Sequence, residues 1–259
     1  MKAAVMHAQN EPLKVHDVQN PESGSGKVLV KVAVCGICHT DLSLLRTYPL
    51  RKKPPLILGH EISGDVEEVG EGVTSVKKGD RVVVRWAISC GKCFFCRTGK
   101  ENICESVKAL GIDLDGGFAE YASVPEENLV KIPGTISYEE GALIAEALGT
   151  PYYAIKRGEI EAGQYVAVFG VGGLGMNAVQ FASTLRGAEV VAVDVVDEKL
   201  KFAEKLGASV TVNAGKEDPV SKIREVTRRG ADRAFEFVGR RESMENAVNC
   251  VRKGGRVVI

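Results

Sequence analysis

Two rhythms of hydrophobic and polar positions divide the chain. Up to about residue 150 the apolar residues come in short alternating runs, KVLVKVAV at 27–34, GDVEEVG at 64–70, GDRVVVRWA at 79–87 and FAEYASV at 118–124. Alternation marks half-buried strands, and punctuation such as Lys78-Gly79-Asp80 marks turns, which predicts a compact, mostly antiparallel β domain over 1–150. From Pro151 the rhythm changes. Strands are predicted at 165–169, 189–194, 209–213, 232–239 and from 256, and helices at 172–187, 197–207, 217–230 and 242–255. Strand and helix alternating at this spacing imply a parallel sheet with right-handed crossovers over 151–259. No Pro/Gly/Ser-rich linker separates the halves, so the boundary is expected inside a helix near 140–155.

Composition narrows the function. In 259 residues, 34 Lys and Arg balance 34 Asp and Glu, whereas nucleic-acid binding normally leaves a basic surplus. No apolar run approaches the roughly 18 residues of a membrane span, and the opening MKAAVMHAQNEPLKV lacks a signal-peptide core. A cytoplasmic protein with neither nucleic-acid nor membrane partner is expected. Seven cysteines, an odd number in a chain without an export signal, speak against a disulfide framework.

The segment VAVFGVGGLG places Gly170, Gly172 and Gly175 in a G-x-G-x-x-G pattern after a strand and at the head of a helix. The first glycine permits the tight turn, the second admits a pyrophosphate to the backbone of Gly173 and Leu174, and the third lets helix and strand pack closely. Asp194 ends the next predicted strand, where an acid takes the adenosine ribose hydroxyls and repels a 2′-phosphate, which favours NAD over NADP. Lys199 is either a second ribose contact or a solvated helix lysine.

Cys90, Cys93, Cys96 and Cys104 offer four thiolates on one short loop, suited to a closed tetrahedral zinc with a structural role. An iron–sulfur cluster is the rival, but the spacing matches neither common ferredoxin run. A zinc ribbon for nucleic-acid or protein binding is the reading from another class, opposed by the neutral charge and the glycine fingerprint. A second constellation is dispersed: GICHTD supplies Cys38, His39, Thr40 and Asp41, and GHE supplies His60 and Glu61. Thiolate, imidazole and one further ligand suit a catalytic zinc with an open position. Spacing alone does not show that Cys38 and His60 converge.

CGICHTD (35–41), GHEISGDVEEVGEGV (59–73), KKGDRV (77–82), the four-cysteine lobe (90–104) and GVGGLG (170–175) occur in the order found in the zinc-containing medium-chain alcohol and polyol dehydrogenases, which the whole chain resembles. The resemblance implies a GroES-like catalytic domain, an α/β Rossmann domain and an active site in the cleft between them. It implies that Cys38 and His60 hold a catalytic zinc. Glu146, in ALIAEALGTPYY, stands where alcohol dehydrogenases often carry the third ligand as Cys. Glu146 and Glu61 are the two candidates for the resting third ligand, and Asp41 resembles the carboxylate that orients the zinc-bound histidine. Thr40 would accept the alcohol proton and pass it to the nicotinamide ribose; Ser43 stands at the relay position many relatives fill with histidine, so that either the relay ends through water or the pH dependence differs from theirs. His39 would contact the NAD pyrophosphate. Trp86 either lines the substrate pocket, favouring slender alcohols, or belongs to the core. Cys35 and Cys250 are expected to be buried structural residues, and His7 and His16 carry no functional claim.

The expected reaction is hydride transfer from a primary or secondary alcohol to NAD, with one catalytic and one structural zinc per chain. A polyol, sugar or amino-alcohol dehydrogenase is the alternative within the superfamily. Zinc-free quinone reductases share the fold but lack these ligands. Because GGRVVI ends inside the fifth Rossmann strand, a fragment of a longer enzyme is expected, one that retains zinc binding even if inactive. The resemblance implies a homodimer or homotetramer for the full-length enzyme.

Overall fold

A computed structural model describes residues 1–259. The chain divides into two compact units, Met1–Glu146 and Ala147–Ile259.

The first unit is built on antiparallel strands. β1 (Lys2–Met6) pairs with β2 (Lys14–Asp17), while β3 (Lys27–Gly36) leads into helix α1 (His39–Arg46). β4 (Leu56–Ile57) adds to β1, and β5 (Glu61–Val69) and β6 (Arg81–Val84) follow. β7 (Ala87–Ile88) and β8 (Lys108–Ala109) flank the cysteine lobe with its short helix α2 (Phe94–Arg97). β9 (Tyr121–Pro125), β10 (Leu129–Lys131) and helix α3 (Tyr138–Leu143) complete the unit. The main sheet runs β10-β6-β5-β3-β9. Its inward face is set by alternation: Val28 pairs with Val124, Val30 with Ala122 and Ile62 with Val84. All six are buried, and burying an aliphatic side chain of this size contributes about 1.5–3 kcal/mol.

The register of β3 against β5 positions the chemistry. Gly36 lies opposite Glu61 and Cys35 opposite Ile62. The turn carrying Cys38 and the residue preceding β5, His60, therefore emerge at adjacent strand ends although they are far apart in sequence. A Cβ on Gly36 would overlap the Glu61 carboxylate, so glycine there leaves Glu61 its present rotamer.

The second unit begins with α4 (Gly149–Gly158), then alternates β11 (Tyr165–Phe169), α5 (Gly173–Gln180), β12 (Glu189–Asp194), α6 (Asp197–Lys205), β13 (Ala208–Asn213), α7 (Pro219–Thr227), β14 (Ala231–Glu236), α8 (Arg241–Cys250) and β15 (Val251–Val258). Its parallel sheet has the order β13-β12-β11-β14-β15, the first five positions of the 3-2-1-4-5-6 Rossmann order. Successive residues feed opposite faces: Val166, Val168, Val190 and Ala192 enter one core, Ala167, Phe169, Val191 and Val193 the other. Burial on both faces explains why these strands read as unbroken apolar runs.

Three elements differ from the sequence expectation: β14 stops at Glu236 rather than Gly239, α7 covers Pro219–Thr227 rather than 217–230, and the largest departure is at α8. Helix α8 ends at Cys250 rather than continuing to Gly255, and β15 starts at Val251. Asp232 accepts a 2.6 Å bond from Arg252 Nε, and Val251 pairs with Ala231. This sheet-edge pairing overrides local helical periodicity, and Gly254 takes a left-handed φ of 72° that no helix uses.

Candidate active site and metal centres

Cys38, His60 and Glu61 bring a sulfur, an imidazole nitrogen and a carboxylate oxygen within 4.8 Å of one another. His60 and Glu61 are buried and Cys38 is half-buried. Cys38 caps the N-terminus of α1, which carries Thr40 and Asp41 inward. Thr40 Oγ1 lies 3.6 Å from Cys38 Sγ. Ser43 sits a turn further along α1, where its carbonyl accepts from Thr47 and Tyr48, and His39 stands exposed at the helix start.

Asp41 is 1% exposed and organises the cluster. Its Oδ2 accepts the Cys38 N–H at 2.9 Å and its Oδ1 accepts the Gly59 N–H at 3.2 Å. The same Oδ1 faces His60 Nδ1 at 3.5 Å. No other acceptor reaches Nδ1, and the separation is too long for a well-formed hydrogen bond, so this contact is mainly electrostatic. It turns Nδ1 toward Asp41 and leaves Nε2 for coordination. Burial opposes a charge on His60, but the Asp41 carboxylate and Cys38 outweigh it and push the imidazole up to about 10. Burial raises Glu61 above the usual carboxylate range, with His60 opposing and the charges of Glu146 and Asp41 adding to the rise.

Glu146 lies half-buried in a π-helical turn, Ile144–Leu148, directly after α3. Such turns recur at functional sites because the inserted residue re-aims a side chain. Helix α3 is held against β5 by Ser63 Oγ, which donates to the Tyr138 carbonyl at 2.5 Å, and by Tyr138 Oη, which donates to Asp65 at 2.6 Å. The ring of Trp86 packs edge-on to His60 with centroids 6.4 Å apart. Asn128, which sequence reasoning missed, is buried and donates to the carbonyls of Arg85 at 2.7 Å and Ala87 at 2.9 Å, fixing the chain on either side of Trp86. An asparagine after paired glutamates carries no local signal of that role.

The sulfurs of Cys90, Cys93, Cys96 and Cys104 also lie within 4.8 Å of one another. Cys93 and Cys96 are 3.5 Å apart, Cys93 and Cys104 3.9 Å, and Cys90 and Cys96 4.0 Å. Thiolates at 2.3 Å from a tetrahedral zinc stand about 3.8 Å apart, whereas a disulfide would need about 2.05 Å. The backbone N–H groups of Cys96 and Glu105 hold the Cys93 thiol below its ordinary range, as a metal ligand requires. Both donor sets fit zinc: four thiolates in one case, a thiolate, an imidazole and a carboxylate in the other.

In the second unit Gly170 adopts a φ of 82° at the end of β11, and a Cβ on Gly175 would collide with the Gly170 carbonyl. Gly172 caps α5, so Gly173 and Leu174 present first-turn N–H groups. Asp194 accepts from the N–H of Val171 at 2.9 Å, Val195 at 2.8 Å and Val196 at 3.1 Å, tying the glycine turn to the end of β12. Lys199 is exposed on α6. A further residue passed over in the sequence is Glu236, buried at the end of β14. It accepts from the N–H of Val238 at 2.7 Å, Gly239 at 3.1 Å and Ser243 Oγ at 2.8 Å. Val238 in turn lies against Gly170. An acid three residues before a glycine at a strand end is the signal that could have marked it. Cys35 and Cys250 have thiols pushed up to about 12 by burial, which suits packing rather than reactivity.

Residues 24–134 match the alcohol dehydrogenase GroES-like domain and residues 173–259 the zinc-binding dehydrogenase domain. An alcohol dehydrogenase of Geobacillus stearothermophilus is 42% identical over 261 aligned residues, covering all of this chain and 77% of that protein. The chain belongs to the zinc-containing alcohol dehydrogenase family. Among solved structures, the alcohol dehydrogenase of Aeropyrum pernix superposes with a TM-score of 0.92 at 41% identity, covering 99% of this chain and 77% of that one. A zinc-binding dehydrogenase of Sinorhizobium meliloti, solved with NADP, superposes with a TM-score of 0.93 at 36% identity, covering 100% and 75%. The chain is thus an oxidoreductase of this family, a GroES-like unit plus a Rossmann unit, using zinc and a nicotinamide dinucleotide. No helix is long and apolar enough to cross a membrane.

Proposed function

We propose that this alcohol dehydrogenase family member oxidises a small primary or secondary alcohol to the aldehyde or ketone, with hydride passing to NAD and one proton released. The observation that carries the reading is the convergence of Cys38, His60 and Glu61 within 4.8 Å at adjacent ends of β3 and β5. Zinc bound there supplies Lewis acidity that brings the alcohol proton within reach of neutral-pH chemistry. Cys38, His60 and Glu146 would hold it, with Glu61, whose charge is coupled to Glu146, as the exchanging carboxylate. Asp41 keeps His60 oriented. Thr40, beside Cys38, accepts the alcohol proton, and Ser43 continues the path toward solvent. Trp86 narrows the pocket toward slender substrates.

The N–H groups of Gly173 and Leu174 and the exposed His39 would bind pyrophosphate, with Gly170, Gly172 and Gly175 shaping the turn. Asp194 would exclude a ribose 2′-phosphate and so favour NAD over NADP, with Lys199 at the ribose edge. Cys90, Cys93, Cys96 and Cys104 would hold the structural zinc. The catalytic portion would span 1–150 and the dinucleotide portion 151–259, close to the division into compact units at Glu146 and Ala147. A cytoplasmic dimer or tetramer is the working assembly.

Metal analysis coupled to NADH formation over a panel of primary alcohols, secondary alcohols and polyols tests the proposal. Two zinc per chain with turnover of simple alcohols is expected. One zinc and no turnover of any alcohol would overturn it, and turnover confined to polyols would transfer the assignment to that branch.

A further inference from the structure

The end of β1 and strand β2 bring together a pair of histidines that the dehydrogenase chemistry does not use. His7 follows β1 and His16 lies on β2, and both side chains are exposed. Their Nε2 atoms are 2.9 Å apart, with the rings perpendicular. One ring donates and the other accepts, so the two imidazoles hold opposite tautomers.

The backbone between them is anchored. Gln9 Nε2 donates to the carbonyls of Leu44 at 2.9 Å and Tyr48 at 2.8 Å at the end of α1. The Asn10 N–H donates to the Leu45 carbonyl at 2.6 Å, with Asn10 in a left-handed turn at φ 63°. The β1–β2 ladder fixes the other side through Ala3 opposite His16. Both imidazoles are thus mounted on backbone that is already ordered, which lowers the entropic cost of using them together.

Imidazole nitrogens ligate first-row divalent ions at about 2.0–2.1 Å; two in cis positions of a square-planar or octahedral ion therefore stand about 2.9 Å apart, and two on a tetrahedral ion about 3.3 Å apart. From this separation we infer that His7 and His16 form a bidentate surface site for a square-planar or octahedral transition ion of the Ni²⁺ or Cu²⁺ class, separate from both zinc sites. On binding, the ring that donates through Nε2 moves its proton to Nδ1, and both Nε2 lone pairs face the ion. No proton is gained or lost, and water fills the remaining positions. The bound ion bridges β1 to β2 at an exposed edge.

Titration calorimetry of the zinc-loaded protein with Ni²⁺, accompanied by zinc analysis, tests the site. One Ni²⁺ per chain should bind without displacing zinc, and amide exchange in β2 should slow. His7→Ala and His16→Ala should each weaken that binding at least tenfold while leaving zinc content unchanged. Absence of Ni²⁺ uptake, uptake only by exchange with zinc, or a less than tenfold loss in either variant would overturn the assignment. Since the readout is Ni²⁺ binding, the outcome is independent of the alcohol specificity.

Discussion

Replacing Asp41 by Asn keeps the shape of the side chain and removes one acceptor from the most constrained point of the candidate active site. Asp41 is 1% exposed and serves the Cys38 N–H through Oδ2, and the Gly59 N–H and His60 Nδ1 through Oδ1. An asparagine has one oxygen and one NH₂ for these two positions. If the NH₂ takes the Oδ2 position, it meets the Cys38 N–H donor to donor. If it takes the Oδ1 position, it meets the Gly59 N–H donor to donor and turns an N–H, in place of the carboxylate charge, toward His60 Nδ1, which favours the tautomer with its proton on Nε2, where zinc must bind. Either arrangement leaves a buried donor unsatisfied at about 1–3 kcal/mol and converts the surviving charge-assisted bond to a neutral one at about 1 kcal/mol, a total of about 2–4 kcal/mol. At about 3 °C per kcal/mol the melting temperature should fall by about 6–12 °C. Losing the carboxylate behind a metal-bound histidine should weaken zinc about 10–100-fold. Thermal melts of the zinc-loaded protein and competition against a chelator read the two effects. A variant that melts within about 2 °C of wild type and holds zinc within about threefold would refute the reasoning.

Substitutions at three further positions probe the other parts of the molecule. Cys96→Ser should lower zinc content by one per chain and speed amide exchange across 90–104, because metal binding is the folding energy of that lobe; retention of both zinc ions would contradict it. Glu236→Ala should weaken NAD binding about tenfold by releasing the turn that leans on Gly170, whereas Glu236→Gln, which keeps one acceptor oxygen for Val238 and Ser243, should lose much less; equal affinities for the two variants by fluorescence titration would exclude a positioning role. Asp232 is raised by burial, yet Arg252 and the Tyr165 N–H outweigh this and hold it below the usual carboxylate range. A depressed folded pKa stabilises above the unfolded value of about 3.9 and is lost as pH falls through the lower folded value. Asp232→Asn should therefore destabilise near neutral pH and flatten the loss of stability below about pH 4; an unchanged acid-unfolding curve would refute this.

Much of the fold is legible locally. In the second unit β11 and β12 are buried on both faces, and the apolar pattern alone locates β11, β12 and β13 to within a residue, while the strand expected at 232–239 stops at Glu236. The largest exception is instructive: residues 251–255 follow a helical pattern but join the sheet, because the Asp232–Arg252 bond and the pairing of Val251 with Ala231 are non-local. The four sulfurs of the lobe are also legible, since their spacing leaves little choice but proximity. Glu236 and Asn128 are not legible, because their partners are backbone groups whose positions exist only once the turns around them have formed.

Whatever depends on neighbours along the chain is readable without the fold: the two rhythms, the glycine turn from Gly170 to Gly175, the cysteine lobe and the carboxylate at Asp194. The tertiary structure alone decided which distant residues meet. Cys38 and His60 converge because Gly36 lies opposite Glu61 in the β3–β5 register, and a slip of one residue would turn every side chain of β5 to the other face. His7 and His16 meet by the same kind of long-range constraint, with Gln9 pinning the connection to α1. Local spacing sets what each residue can offer. Strand register and the anchoring of loops set what it is offered to.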